Sequence, residues 1–435
     1  MSLSSPLTRL LRHPAYPALF QWLSLFVFAF IVIELLRGPA NAKENLGSLL
    51  VWVLWWPLLT VIFFFGRIWC AICPFSLLSD RLQRLAGNAF KAPQFLKQNG
   101  FFIMVGFLVI LTLGQEVFHI ARSTTMTAVM LLVIVTGVSA AGLFLERRSW
   151  CRYLCPLGGM AVPYSQVSCL DLRGRQEVCQ SCHTANCYKG SGESNGCPMF
   201  EFPRVMDTAA YCNLCGQCLK DCPHDAIDVR LRPPTSGLWF IGKPRLREAV
   251  LALLLMGIVL ARNVAEFGHQ GVAFIAGGLP APAQAVMAYL LCLGAALLSW
   301  TIASLAAARS SAEGAKVLFA RFGYSAIPVV LLSHLGHLAG EFLEKGHRLV
   351  GAARNRLPGV DLPVTSTAWA SDEWAIGVHI FFLLTGFALS ILAASRIARA
   401  HYPPGGRWRQ LLPFMAVMLL YTAFITFLVL WGEED

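Results

Sequence analysis

Long apolar blocks are the feature of this sequence that most constrains its fold. A helix needs about 20 residues, at ~1.5 Å per residue, to cover ~30 Å of hydrocarbon. Charged residues make up 14% of the chain and mean hydropathy is +0.59, which excludes a disordered chain and argues against a soluble enzyme. The pattern predicts nine membrane-spanning helices, at residues 17–36, 48–65, 101–119, 125–145, 247–262, 284–308, 318–341, 374–395 and 411–431.

The positions of Lys and Arg predict the orientation of these helices. With the N-terminus inside, the short inner segments carry more basic residues than the outer ones, as cytoplasmic loops do. The acidic tail Glu433–Asp435 then lies outside. We expect a multi-pass protein of the cell inner membrane with a cytoplasmic N-terminus. The basic residues that give the chain its net charge of +11 lie between the apolar blocks. We therefore interpret them as topology signals and expect no nucleic-acid partner.

Most of the 14 cysteines lie in the one long polar region, residues 146–246. Its second cysteine run matches the bacterial [4Fe–4S] motif C-x2-C-x2-C-x3-C-P without a departure. The first run is wider, C-x2-C-x4-C, and a separate Cys-Pro follows it. In two-cluster ferredoxins each trailing Cys-Pro ligates the other cluster. The predicted ligands are Cys179, Cys182, Cys187 and Cys222 for cluster one, and Cys212, Cys215, Cys218 and Cys197 for cluster two.

The alternatives for this region are weaker. A structural zinc site could use the cysteine pairs at Cys182 or Cys215, and Cys169 could replace a ligand of the wider run. Disulfides are not expected in a reducing cytoplasm. The tail Pro223–Ile227 indicates entry into a strand. We therefore predict an all-α polytopic membrane protein with an inserted cytoplasmic, bacterial-type two-cluster ferredoxin domain. Its segments would be 1–145 with four membrane helices, 146–246 with the ferredoxin, and 247–435 with about five membrane helices.

A second cysteine pattern occurs twice, each time after a pair of predicted helices. The stretches are RIWCAICP at 67–74 and RSWCRYLCP at 148–156. The four thiols could hold a metal or carry redox equivalents, and nearby arginines would favour thiolates. Alternatively, Trp and Cys-Pro anchor a helix end at the membrane interface. Both readings stay open for Cys70, Cys73, Cys151 and Cys155.

This combination of motifs resembles the membrane polyferredoxins NapH and NosR, with related motifs in MauN and CcoG. The resemblance covers roughly residues 48–230. One departure is the first repeat, which is one residue shorter than the Trp-Cys-x3-Cys-Pro of the family. Another is the set of five predicted helices after the ferredoxin segment, which NapH lacks.

The resemblance implies a function in respiratory electron transfer. NapH oxidises quinol for periplasmic nitrate reductase and NosR donates electrons for nitrous oxide reductase. The expected function is therefore electron transfer between the quinone pool and a respiratory redox partner through two cytoplasmic [4Fe–4S] clusters, as in a quinol dehydrogenase component. The alternative, suggested by CcoG, is a copper-reducing assembly or maturation factor for a respiratory enzyme. The direction of electron flow stays open.

Ionisable residues inside predicted membrane helices are candidates for function. Glu116 and His119 are three residues apart and would share a helix face. A carboxylate–imidazole pair suits quinol oxidation, which releases protons, so this pair is the predicted catalytic site. His334, His337 and His379 could bind haem b or a metal. They could also be ordinary interhelical histidines.

Overall fold

The computed structural model describes residues 6–86, 90–191, 194–239, 244–267, 278–356 and 367–431. Within these ranges, nine helices are long and apolar enough to cross a membrane. Each overlaps one predicted block, which confirms the prediction of nine such helices and is what a multi-pass membrane protein requires. They are Ala18–Arg37, Leu46–Phe65, Gln94–Phe118, Thr124–Phe144, Leu246–Glu266, Ala281–Ala308, Ala315–Lys345, Asp372–His401 and Arg407–Trp431.

The fifth of these helices is longer than its apolar block predicts. Residues 247–262 end at a charged side chain, yet the helix continues to Phe267. The reason is that Arg262 and Glu266 have partners on other helices, at Glu116 and His337. Paired charges cost less to place among apolar helices than isolated ones, so hydropathy alone ends the helix too early.

Shorter elements lie between the long helices. Among the described residues, the helices shorter than ten residues outside the spans include Pro6–Arg12, Ile68–Ile72, Pro156–Tyr164, Gln176–Ser181, Asn186–Lys189, Gln217–Asp221, Ser236–Trp239 and His347–Arg354. A 13-residue helix covers Pro74–Ala86. Two segments are π-helical, Leu50–Trp55 and Trp150–Leu154. Single 3-10 turns are formed by Phe63–Phe65, Ile120–Arg122, Ser165–Val167 and Tyr324–Ala326.

Two strands complete the cysteine-rich segment. Strand β1 is Leu170–Gly174 and strand β2 is Ile227–Leu231, and they pair antiparallel. Leu172 lies opposite Val229, and each is 1% exposed. Strand β2 begins where the tail after Cys222 predicts a strand.

The chain divides into two compact units, each built from non-consecutive stretches. The first comprises Met1–Val32, Val61–Phe107 and Val129–Gly237. The second comprises Ile33–Thr60, Leu108–Ala128 and Leu238–Asp435. This division differs from the three consecutive segments expected from the sequence.

The first unit combines the cysteine-rich segment with residues from outside it. Its buried core includes Leu11 and Ala71 together with Leu172, Ile227 and Val229. The Tyr16 hydroxyl donates a hydrogen bond to the Leu214 carbonyl at 2.9 Å. The N-terminal helix and the first Trp-Cys repeat are therefore part of the same core as the predicted ferredoxin.

Candidate functional site

Four cysteines line one open cleft in the first unit. They are Cys179, Cys182, Cys187 and Cys222. Cys222 comes from the second run, so the structure brings together the set that the crossed ligation pattern of two-cluster ferredoxins requires. Arg204 also lines the cleft and donates to the Cys182 carbonyl at 3.4 Å. Four thiols and a neighbouring cation suit an anionic iron–sulfur cluster.

The two-stranded sheet explains how Cys179 and Cys222 meet. Strand β1 runs toward the helix that contains Cys179, and strand β2 starts after Cys222. Antiparallel pairing places these connections at the same end of the sheet, where Arg175 N–H donates to the Ala226 carbonyl at 2.7 Å. Gly174 lies so close to Cys179 that an added Cβ would be 2.7 Å from its sulfur. The sheet therefore positions one ligand from each run.

The second predicted set lies deeper in the unit. Cys215 and Cys218 are each 9% exposed. Burial raises the pKa of the Cys218 thiol, and the charges of Cys212, Cys215 and Cys197 raise this pKa further. Cys212, Cys215 and Cys218 belong to one core cluster of the first unit. Their buried location contrasts with the open cleft of the first set.

The sulfurs of the two sets differ in their surroundings. A hydrogen bond with Thr184 lowers the pKa of Cys182, whereas burial raises the pKa of Cys197 to about 11. Backbone N–H groups reach two further sulfurs, from Leu214 to Cys212 at 3.4 Å and from Ala226 to Cys222 at 3.3 Å. Such hydrogen bonds and the degree of exposure set the reduction potential of a cluster.

The two Trp-Cys repeats present their Cys-Pro cysteines in the same way. Cys73 and Cys155 have extended backbones, with φ/ψ of −61°/132° and −70°/115°. Each precedes a proline that begins a helix, at Pro74 and Pro156, a position that suits proline. Gly158 N–H donates to the Cys155 sulfur at 3.3 Å. Both sulfurs thus lie at helix N-termini, where a thiolate is favoured.

The extra residue of the second repeat is accommodated by a π turn. In the first repeat the residues before Cys73 form an α-helical turn, Ile68–Ile72. In the second, Cys155 N–H bonds to the Trp150 carbonyl, five residues back, at 2.9 Å. A π turn contains one residue more than an α turn. The difference between Cys-x2-Cys-Pro and Cys-x3-Cys-Pro is therefore absorbed in the backbone.

The two repeats lie against each other, since Arg148 donates to the Cys70 carbonyl at 3.5 Å and Cys151 and Cys155 pack in the same core cluster as Phe75. Burial raises the pKa of Cys73, and the charges of Cys151, Cys70 and Cys155 raise it further. Burial also raises the pKa of Cys151 to about 11 and of Cys155 to about 12. The charges of Arg148 and Arg67 lower the pKa of Cys151, in the direction expected from the sequence, while burial is the larger effect.

Two arginines of the repeats are buried but differ in their partners. Arg148 is 4% exposed and its Nη2 lies 2.7 Å from Asp80 Oδ2. Arg67 is 2% exposed, and no carboxylate in the described ranges lies within ion-pair distance of it. Its guanidinium reaches the Ala210 carbonyl at 3.4 Å and the Cys70 sulfur at 4.0 Å, and its Nε has no partner. Burying an unpaired cation costs several kcal/mol, so Arg67 indicates an anion nearby.

The two residues of the predicted catalytic pair do not lie on one helix. The helix ends at Phe118, and His119 follows it with a left-handed φ of 47° and an exposed side chain. The expected shared helix face is therefore wrong, because His119 is outside the helix. Glu116 instead accepts a hydrogen bond from Arg262 at 2.8 Å.

His337 is held at both ring nitrogens. Its Nδ1 lies 2.9 Å from Glu266, and its Nε2 accepts from Arg262 Nε at 3.3 Å. The His379 ring is 6.0 Å from the His337 ring between centroids, and His379 Nε2 is buried without a partner. His334 lies on the same helix and is partly buried. Because the nitrogens of His337 are already engaged, the geometry does not favour it as a haem ligand.

Sequence reasoning missed two members of this intramembrane network, Arg262 and Glu266. The predicted helix stopped at Arg262, so neither was assigned a role. A signal was present, since the two charges are four residues apart, as in a helical ion pair. Their actual partners are on other helices, which spacing along one helix does not reveal.

The remaining cysteines have ordinary environments. Cys169 donates from its sulfur to the Phe64 carbonyl at 3.1 Å and packs against the core of the first unit. Cys292 is buried against Tyr289 and Leu293. Within the described ranges, His, Cys, Asp and Glu form no group of three or more placed to hold a single metal ion. A [4Fe–4S] cube spaces its four sulfurs more widely than a single ion does.

Comparison with known proteins gives a family model and one curated relative. Residues 46–93 and 127–173 match the model described as a 4Fe-4S binding domain. These ranges contain the two Trp-Cys repeats. They do not contain the runs between Cys179 and Cys222.

The curated relative is the "Putative electron transport protein YccM" of Escherichia coli (strain K12). It is 29% identical over 131 residues, which is 30% of this chain and 34% of the relative. The chain thus matches about a third of the length of that relative. No solved structure matches. The chain is thus similar to a 4Fe-4S binding domain in these two stretches and to part of a putative electron transport protein.

Proposed function

We propose that this chain passes electrons between the quinone pool and a respiratory redox partner through two [4Fe–4S] clusters. One observation carries the proposal: Cys179, Cys182, Cys187 and Cys222 line a single cleft. Ligands from both runs are gathered there, as a two-cluster ferredoxin requires. The matched 4Fe-4S model and the electron-transport relative support the same chemistry.

The chain supplies two different environments for these clusters. When bound, a [4Fe–4S] cluster accepts and returns one electron at a time. The cleft of Cys182 is open, so we assign it to exchange with a soluble partner. The set around Cys215 and Cys218 is buried, so we assign it to an internal position. We place both in the cytoplasm, because the basic residues favour a cytoplasmic N-terminus.

The quinone end of the proposal requires groups that accept protons. A quinol that is oxidised to quinone gives up two electrons and two protons. Glu116 is held by Arg262, and His337 is held by Glu266, within the ends of three predicted spans. These carboxylates and this imidazole are suited to accept protons. We therefore retain Glu116 as a quinol-site residue and add Glu266 and His337.

Anaerobic purification with iron and sulfide analysis tests the cluster assignment. We expect Cys215→Ser and Cys187→Ser each to remove about four irons per chain, one cluster each. Cys292→Ser is the matched control and should retain all iron, because Cys292 packs in the other unit. Full iron retention in Cys215→Ser would overturn the assignment.

Reduction by duroquinol tests the link to quinones. We expect electron paramagnetic resonance signals of reduced clusters after duroquinol is added to the anaerobic protein in membranes. Clusters that stay oxidised with duroquinol, but are reduced by dithionite, would contradict quinol oxidation. That result would instead indicate that a low-potential donor reduces the clusters and that electrons flow in the opposite direction.

A further inference from the structure

Four cysteines of the first unit remain outside both ferredoxin sets but are close to one another. Cys70 and Cys73 come from the first repeat, and Cys151 and Cys155 from the second. None of the four forms a disulfide. Arg148 of the second repeat donates to the Cys70 carbonyl of the first at 3.5 Å, and Cys151 and Cys155 pack in the same core cluster as Phe75, two residues after Cys73. Two stretches almost 80 residues apart thus converge on one site, whose donor set is four thiols.

The charges around this site indicate an anion. Arg67 is buried, contacts the Cys70 sulfur, and has no carboxylate partner within the described residues. A cube of four irons and four sulfides on four thiolates is a dianion in its oxidised form. Such a group would supply the missing counter-charge, which four neutral thiols would not.

We propose that Cys70, Cys73, Cys151 and Cys155 together hold a third [4Fe–4S] cluster, with Arg67 as its buried counter-cation. The proposal rests on the proposed function, because it adds a cluster to the same electron-transfer unit. It also explains why each repeat ends in Cys-Pro. The proline begins a helix whose N-terminal N–H groups face the sulfur, as Gly158 does for Cys155.

The donor set selects among the possible occupants. Four thiolates suit zinc or an iron–sulfur cluster and disfavour hard cations. The 4Fe-4S model also matches the two stretches that contain these cysteines.

The third site lies beside the buried ferredoxin set. Ala71, which lies between Cys70 and Cys73, is in the same core as Cys215 and Cys218. Arg67, which contacts the Cys70 sulfur, donates to the carbonyl of Ala210, two residues before Cys212, at 3.4 Å. The three sites therefore follow one another from the repeats, through the buried set, to the open cleft. The repeats themselves directly follow the helix ends at Phe65 and Phe144.

Iron and acid-labile sulfide counts on the anaerobically purified full chain test the proposal. We expect about twelve of each in the wild type and about eight in Cys73→Ser, since one cluster holds four of each. The double variant Cys73→Ser, Cys215→Ser should hold about four. Cys169→Ser is the control within the same unit, because its sulfur bonds to the Phe64 carbonyl, and it should match the wild type.

The outcomes separate this proposal from the proposed function. If Cys215→Ser loses iron but Cys73→Ser does not, the third cluster is wrong and the two-cluster carrier stands. If neither loses iron, both are wrong. If the wild type holds one zinc per chain and Cys73→Ser loses it, the site is a zinc site and the proposal of a third cluster is wrong.

A second variant applies if Cys73→Ser does not fold. Arg67→Gln removes the buried cation and keeps all four thiols. We expect a redox titration followed by paramagnetic resonance to show one of three clusters shifted to a more negative midpoint potential, because reduction adds negative charge there. Arg67→Lys should restore part of the shift. Unchanged potentials for every cluster in Arg67→Gln would overturn the role of Arg67 and the third site with it.

Discussion

At the scale of single residues, a glycine fixes the path of the second cysteine run. Gly216 lies between Cys215 and Gln217 with a φ of +75°, a region that favours glycine. An added Cβ would also collide with the carbonyl oxygen of Leu11. The N-terminal helix can therefore approach the run only because this residue has no side chain.

Gly216→Ala is expected to destabilise the first unit. Backbone strain of this kind costs of order 1–3 kcal/mol, and the collision with Leu11 adds to it. Thermal unfolding followed by loss of cluster absorbance should therefore occur at a lower temperature. The matched control is Gly294→Ala, in the middle of a helix, where an added Cβ meets nothing within 4 Å. Equal unfolding temperatures for the two variants would contradict the role of Gly216.

Glu116 and His119 should differ in their effects on quinol oxidation. Glu116 bonds to Arg262, whereas His119 is exposed beyond the end of its helix. A positioned proton acceptor typically contributes about 10²–10⁴-fold to a reaction rate. We therefore expect Glu116→Gln to slow cluster reduction by duroquinol at least about tenfold. His119→Ala should have a smaller effect. Rapid-mixing absorbance kinetics measure both, and the reverse order would contradict the network as the quinol site.

At the scale of elements, the two repeats show how one backbone turn compensates for sequence length. The α turn of Ile68–Ile72 and the π turn of Trp150–Leu154 both lead to an extended cysteine followed by proline. A one-residue difference would otherwise rotate one cysteine of a pair by about 100° around its helix. Because the π turn absorbs the extra residue, both pairs can contribute to one site.

The stability of the first unit should also depend on the packing of the two-stranded sheet. Leu172 is 1% exposed on β1, and removal of a buried leucine side chain typically costs about 2–5 kcal/mol. We expect Leu172→Ala to lower the unfolding temperature and to release iron on mild heating. Leu231→Ala on β2 is the control, since Leu231 is 49% exposed. If both variants lose iron equally, the sheet does not position Cys179 and Cys222 as we describe.

The helices could be predicted from the sequence because apolar length is a local property. The ferredoxin ligand sets could be proposed because [4Fe–4S] spacing is specific, and the four cysteines of the first set line one cleft. The intramembrane network could not be predicted from the sequence, since Arg262 contacts Glu116 and His337 only when three helices pack together. The lack of a carboxylate partner for Arg67 could not be predicted either, because the neighbouring residues in the sequence do not show which carboxylates lie near it in the fold.

At the scale of the whole molecule, sidedness links the parts of the proposal. With the N-terminus in the cytoplasm, as we propose from the basic residues, the nine candidate spans of the described residues would put the ferredoxin segment on the same side as the N-terminus. The cysteine-rich segment would then lie in a reducing compartment, where cluster ligands stay reduced.

Fusions of alkaline phosphatase test this orientation, because the enzyme forms its disulfides and becomes active only outside the cytoplasm. A fusion after Trp431 should be active, and one after Ser311, between two predicted spans, should be inactive. A fluorescent-protein fusion at the same two positions serves as the control, with the opposite pattern expected. Activity at Ser311 alone would reverse the orientation. The clusters would then face an oxidising compartment, where unprotected thiols pair instead of holding iron, and the proposed quinone-linked carrier would fail.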